Sequence, residues 1–168
     1  MKTFTSASAG KYIKALEDEK DLLLSQESTN CTYVLAKGEE EEPPAYDYAA
    51  TRASVAEIDR KVRVVRHALH AFNARTVLPE AGITIDEALV ELAQLGNLKS
   101  RLCGLRAVQP KQRVESRYGV KGDLVEYRYA NFDVAAAQAD YQKVTERIAD
   151  LQLELDLVNQ TQTFEVDV

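Results

Sequence analysis

Two histidines, His67 and His70, stand three residues apart. That spacing places both on one side of a helix, where a shared metal ion is the chemistry such a pair could support. A complete site would need further ligands, supplied by Glu or Asp from another helix. Neither histidine belongs to a His-Glu-x-x-His motif. The sequence therefore favours two helix-surface histidines, and we expect no metal and no cofactor. Cys31 and Cys103 are far apart and lack partners at metal-ligand spacing, so they read as reduced thiols in a cytoplasm. Cys103 falls within an apolar helical stretch, where cysteine acts as a small hydrophobe. No Gly-rich phosphate loop, G-x-S-x-G elbow or CxxC pair occurs. Asp86, Glu87 and Glu91 sit where a helix begins, and the dipole there favours carboxylates. No catalytic set emerges, so the sequence leaves an enzymatic role open and favours a non-enzyme.

The other grouping with chemical potential is basic. Lys99 to Arg128 holds eight Lys and Arg against three acidic residues, with Tyr118 and Tyr127 interleaved and Tyr129 directly following. Lys111, Arg113, Arg117, Lys121 and Arg128 are the candidate anion or nucleic-acid contacts, because cations beside aromatic rings suit phosphates and stacked bases. The competing reading is a half-buried hairpin with tyrosines inward and arginines outward. A third is intermolecular, with the acidic run Glu39–Glu42 of one chain meeting this patch on another. The chain as a whole carries a formal charge of −6, which disfavours non-specific binding to nucleic acid or anionic membrane.

These residues must be positioned by the elements around them. A length of 168 residues with 45% hydrophobic composition fits one helical domain spanning 1–168. The first helix is expected over about 6–27, with Tyr12, Ile13, Leu16, Leu23 and Leu24 forming a stripe that Lys20 interrupts. Cys31 to Ala36 leans towards a strand. An acidic loop, 38–46, follows, since Glu39–Glu42 and Pro43-Pro44 suit neither a helix nor a central strand. The second helix, about 47–76, repeats a heptad: Tyr48, Val55, Val62 and Leu69 at a, Thr51, Ile58, Val65 and Phe72 at d. Leu78-Pro79-Glu80-Ala81-Gly82 breaks it. Thr84 and Glu87 then form a capping box for a third helix, about 84–106.

The period changes to two between Pro110 and Asp133, predicting a β-hairpin over about 112–130. The fourth helix, about 133–160 with Asp133 as N-cap, carries a second heptad. Val134, Tyr141, Ile148 and Leu155 lie at a; Ala137, Val144, Leu151 and Val158 lie at d. The alternating tail, Phe164, Val166 and Val168, predicts a terminal strand.

The architecture expected is mainly α, a coiled-coil-like bundle of about four long helices with a small hairpin between the third and fourth. The short break after the second helix makes helices two and three antiparallel, and returns the fourth parallel to the second. Their matched seams can then pair within one chain or between copies. Leu153 and Leu157 lie off the fourth helix's seam, one turn apart, and Val64 lies off the second's. Helices apolar on more than one side need more than one cover, so we expect a homo-oligomer, a dimer or higher. Val55, Ile58, Val62, Val65, Leu69, Phe72, Val144, Ile148, Leu151, Leu153, Leu155 and Leu157 are the predicted packing and interface residues. No apolar run approaches a membrane span. The N-terminus lacks a basic, apolar, small-residue series, so a cytoplasmic location is expected, with no membrane partner.

The stretch from His67 to Leu92 carries a resemblance. Asn73 and Thr76 end one long helix, a turn with Gly82 follows, and Thr84-Ile85-Asp86-Glu87-Ala88-Leu89 opens the next; Leu155 and Asn159 close the last helix. This order resembles a family of small bacterial proteins, some carrying the label septicolysin, over about two-thirds of the chain. The resemblance implies a helical, self-associating cytoplasmic protein of a bacterium or its phage, with no catalytic residues to transfer. From the residues alone, Asn73 and Thr76 are helix-end polar groups able to bond terminal carbonyls. Three functions follow as expectations: a self-associating structural or interaction protein first; a nucleic-acid-associated protein using the basic hairpin; and a bundle binding a metal or small ligand at His67 and His70.

Overall fold

Each helix begins where a short polar side chain can satisfy free amides. The computed structural model describes residues 1–114 and 125–168. Thr5 caps helix α1 (Ser6–Asn30) through a capping box with Ser8. Asp47 caps α2 (Tyr48–Asn73), its carboxylate accepting from the Ala50 amide at 3.0 Å. The predicted Thr84–Glu87 box opens α3 (Ile85–Arg106) with both reciprocal bonds present. Asp133 caps α4 (Val134–Thr161), accepting from Ala135 and Ala136 at 2.8 and 3.1 Å. These bonds remove orphan N–H groups that would otherwise fray the first turn. The expected fold class, mainly α with a minor hairpin, is the observed one.

Four short strands occur among the described residues: β1 (Lys2–Thr5), β2 (Lys111–Arg113), β3 (Tyr127–Tyr129) and β4 (Thr163–Val166). The alternating tail is a strand, as anticipated. Its partner β1 was not anticipated; the two pair antiparallel, Phe4 opposite Phe164. The strand-leaning stretch Cys31 to Ala36 forms no strand, and its residues are exposed. Among the described residues, no strand lies beside it to take its amides and carbonyls.

The chain divides into two compact units, Met1–Thr76 with Asp156–Val168, and Val77–Leu155. In the first, α1 and α2 run antiparallel. Glu17 meets Arg66, and Lys20 Nζ lies 2.7 Å from the Asp59 carboxylate. Lys20, which interrupts the apolar stripe of α1, is thus an inter-helix tie. The α2 seam is spent here, on α1 and β4: Val65 is fully buried with Phe4, Ala9, Ile13 and Val166, and Val62, Val64 and Ala68 pack around them. Phe72 stacks on Phe164 with ring centroids 4.9 Å apart. The expectation left the seam's partner open between helix four and another copy. The partner in the chain is α1, whose Ile13 and Leu16 offer matching apolar surface.

In the second unit, α3 and α4 also run antiparallel. Glu91, early in α3, grips Arg147 through two bonds of 2.8 and 3.0 Å. Arg106, at the far end of α3, lies 3.8 Å from the ring centre of Tyr141, nearer the start of α4. Ile85, Ala88, Leu102, Ala137, Val144, Leu151 and Leu155 are buried. The turn after α2 is held from below: Gly82 takes φ +69°, open to glycine without strain. The Glu154 carboxylate accepts from the Glu80 and Ala81 amides at 2.6 and 3.1 Å. Leu78 plugs the space beneath, fully buried.

Candidate functional site

The hairpin is the place where chemistry-bearing side chains gather. Its register sets Lys111 opposite Tyr129 and Arg113 opposite Tyr127. Directly opposed residues share a face, so these four side chains project together. Gln112 and Arg128 occupy the other face, where the Val114–Glu126 rung adds a carboxylate. The Lys111 ammonium lies 4.2 Å from the Tyr127 ring centre and 5.5 Å from that of Tyr129, and the rings are 6.4 Å apart. Such contacts are cation–π attractions that preorganise the cation without neutralising it.

The expectation of tyrosines turned inward is corrected. Tyr127 is 45% exposed and Tyr129 62% exposed, and every residue of both strands faces solvent. Among the described residues, this two-stranded ladder has no second layer over either face. Among the described residues, none of Lys99, Arg101, Arg106, Lys111, Arg113 and Arg128 has a carboxylate within ion-pair distance. Arg117, Tyr118 and Lys121 lie outside the described residues.

The seam residues are internal except at the start of α2, where Tyr48 is 63% exposed. Ile58 and Val65 of α2 and Val144, Leu151 and Leu155 of α4 are buried, while Val55, Val62, Leu69, Phe72 and Ile148 are partly covered. Leu153 and Leu157 differ: 74% and 63% exposed, they form an apolar pair on the outside of α4. On α3, Leu89, Val90 and Leu98 are exposed as well.

His67 and His70 are both on the surface of α2. Among the described residues, no group of three or more His, Cys, Asp or Glu side chains is placed to share a metal ion. Cys103 is exposed rather than buried, as is Cys31; lying in a helix with apolar neighbours in sequence did not place it on the covered face. A hollow of about 310 Å³ at the end of α2, lined by Phe72, Arg75, Thr76, Phe164 and Glu165, is open to solvent. Asn73 Oδ1, next to it in sequence, is buried without a hydrogen-bond partner. Among the described residues, no helix is long and apolar enough to cross a membrane.

Sequence reasoning missed the Glu91–Arg147 clasp and the Glu154 anchor, because nothing in the sequence distinguishes these carboxylates from solvated neighbours. A weak signal existed for Tyr141, a polar-tipped aromatic at a heptad a position, which accepts the Arg106 guanidinium against its ring.

The sequence matches no protein-family model and no curated protein. Among solved structures, the chain is similar to a functionally unknown conserved protein from Corynebacterium diphtheriae, with a TM-score of 0.63 and 14% identity over 98% of this chain and 100% of that one. At that identity the likeness is one of fold.

Proposed function

We propose that this protein acts by self-association through outward apolar positions of its helices. The carrying observation is the Leu153/Leu157 pair, two leucines one turn apart that remain largely in water. Isolated exposed apolar residues are ordinary, but adjacent leucines on a regular helix make a ridge that a second helix can cover. The resemblance to septicolysin-labelled proteins fits the same reading, and with it a bacterial origin and a cytoplasmic location. Light scattering across a dilution series tests the proposal: a mass at a multiple of 18.7 kDa is expected, and 18.7 kDa at every concentration refutes it.

A second reading rests on the hairpin. Two exposed tyrosines beside Lys111 and Arg113, without carboxylates in the described ladder face, suit single-stranded nucleic acid. Mobility shifts with single-stranded oligonucleotides should weaken as salt rises. Retardation unchanged from low to high salt would refute the electrostatic mode.

A further inference from the structure

The segment between α1 and α2 carries two recognition elements in tandem: the carboxylates Glu39–Glu42, then Pro43-Pro44. Every residue from Cys31 to Ala45 is exposed. Gly38 at φ +95° closes a local turn in which the Glu39 amide donates to the Ala36 carbonyl at 3.1 Å, and the Glu39 carboxylate accepts from the Ala36 amide at 3.0 Å. The far end is anchored to the helices: the Tyr46 hydroxyl donates to the Glu27 carboxylate, and Asp47 caps α2. Among the described residues, Glu40 to Ala45 make no hydrogen bond or ion pair between that turn and that anchor. An acidic, proline-containing strip is therefore presented to solvent from one fixed end.

The Lys111/Arg113 face of the hairpin has the opposite character on two independent counts. It is cationic, and it presents two exposed aromatic rings. Carboxylates complement the first property through charge-assisted hydrogen bonds. Prolines complement the second, since their rings lie flat on aromatic side chains and an extended polyproline conformation costs little entropy to bind.

We infer that the Glu39–Pro44 segment of one copy docks on the Lys111/Arg113/Tyr127/Tyr129 face of a second copy. This inference rests on the self-association reading and gives it a second, polar contact beside the leucine ridge. A nucleic acid would compete for the same cations, which makes it an outcome of the test rather than a parallel proposal.

The test uses full-length protein in sedimentation velocity, at low and at high salt. The variants are E39Q/E40Q/E41Q/E42Q, K111E/R113E, and a mixture of K111E/R113E with E40K/E41K. All the altered residues are exposed, and circular dichroism confirms that each variant keeps its helices. The wild type should self-associate roughly tenfold more tightly at low salt, because exposed ion pairs are screened. The glutamine and K111E/R113E variants should lose that gain, and the mixture of opposite charge reversals should recover it. Association that ignores both salt and the glutamines overturns the docking while leaving the leucine ridge standing. A chain of 18.7 kDa under all conditions overturns both readings. An oligonucleotide that binds the wild type and is lost with K111E/R113E, while the glutamine variant associates normally, assigns the face to nucleic acid and overturns the inference.

Discussion

Replacing Leu153 and Leu157 together by alanine separates association from folding. Burying a leucine side chain completely is worth about 1.5–3 kcal/mol. With 74% and 63% of these residues still in water, covering both in an interface contributes about 2–4 kcal/mol. Losing that contribution raises the dissociation constant by about 30- to 1,000-fold. The isolated chain should barely notice, since exposed substitutions fall within about 0.5 kcal/mol and alanine suits a helix at least as well as leucine. Leu151→Ala is the internal contrast. Leu151 is 1% exposed, and its truncation should cost about 2–5 kcal/mol of folding stability. Sedimentation velocity over a dilution series reads the first effect, and urea unfolding reads the second. An L153A/L157A protein with the dissociation constant of the wild type would refute the reasoning. So would a loss of folding stability as large as that of Leu151→Ala, because the leucines would then belong to the core.

Three further outcomes follow from local geometry. Thr84→Ala removes the hydroxyl that accepts from the Glu87 amide at 3.2 Å, and should cost about 1 kcal/mol in urea unfolding; Thr84→Ser should restore it. The side-chain hydrogen bond from Arg147 holds the Glu91 carboxyl below its ordinary 4.5. A depressed folded pKa contributes stability above that ordinary value, lost as pH falls through the folded pKa. The difference between wild type and Glu91→Gln should therefore shrink in acid. With both side chains about a third exposed, the coupling in a double-mutant cycle should not exceed about 1 kcal/mol. The hydrogen bond to Glu27 pushes the Tyr46 hydroxyl up to about 12 from 10.0. Its contribution is complete below pH 10.0 and is lost as pH rises through about 12. Ultraviolet titration of tyrosinate should show that late step vanish in Tyr46→Phe and move towards 10.0 in Glu27→Gln; an unaltered late step would contradict the bond.

Much of the fold was legible because its signals are local. Asp47, Thr84 and Asp133 announce helix starts, since a capping side chain bonds amides two or three residues ahead. The α4 heptad separates covered Leu151 and Leu155 from exposed Leu153 and Leu157 by helical period alone. The tail reads as a strand by alternation, with Val166 buried and Glu165 out. The candidate site was legible by composition: Lys111, Arg113, Tyr127 and Tyr129 were visible as a basic, aromatic cluster, and their hairpin pairing was visible in the period.

Pairing between distant segments was decided only by tertiary structure. Strand β1 is four residues long and exists because β4, at the other end of the chain, lies beside it; Cys31 to Ala36 has comparable strand character and no such neighbour. A heptad marks a sticky stripe without naming what covers it. In the fold, the α2 stripe goes to α1, with Lys20 meeting Asp59 and Glu17 meeting Arg66 beside it. Exposure of Tyr127 and Tyr129 was likewise invisible, because alternation says that two faces differ and not whether anything lies against either. Sequence encodes which side of an element is apolar; which neighbour reaches that side depends on contacts whose partners are far apart along the chain.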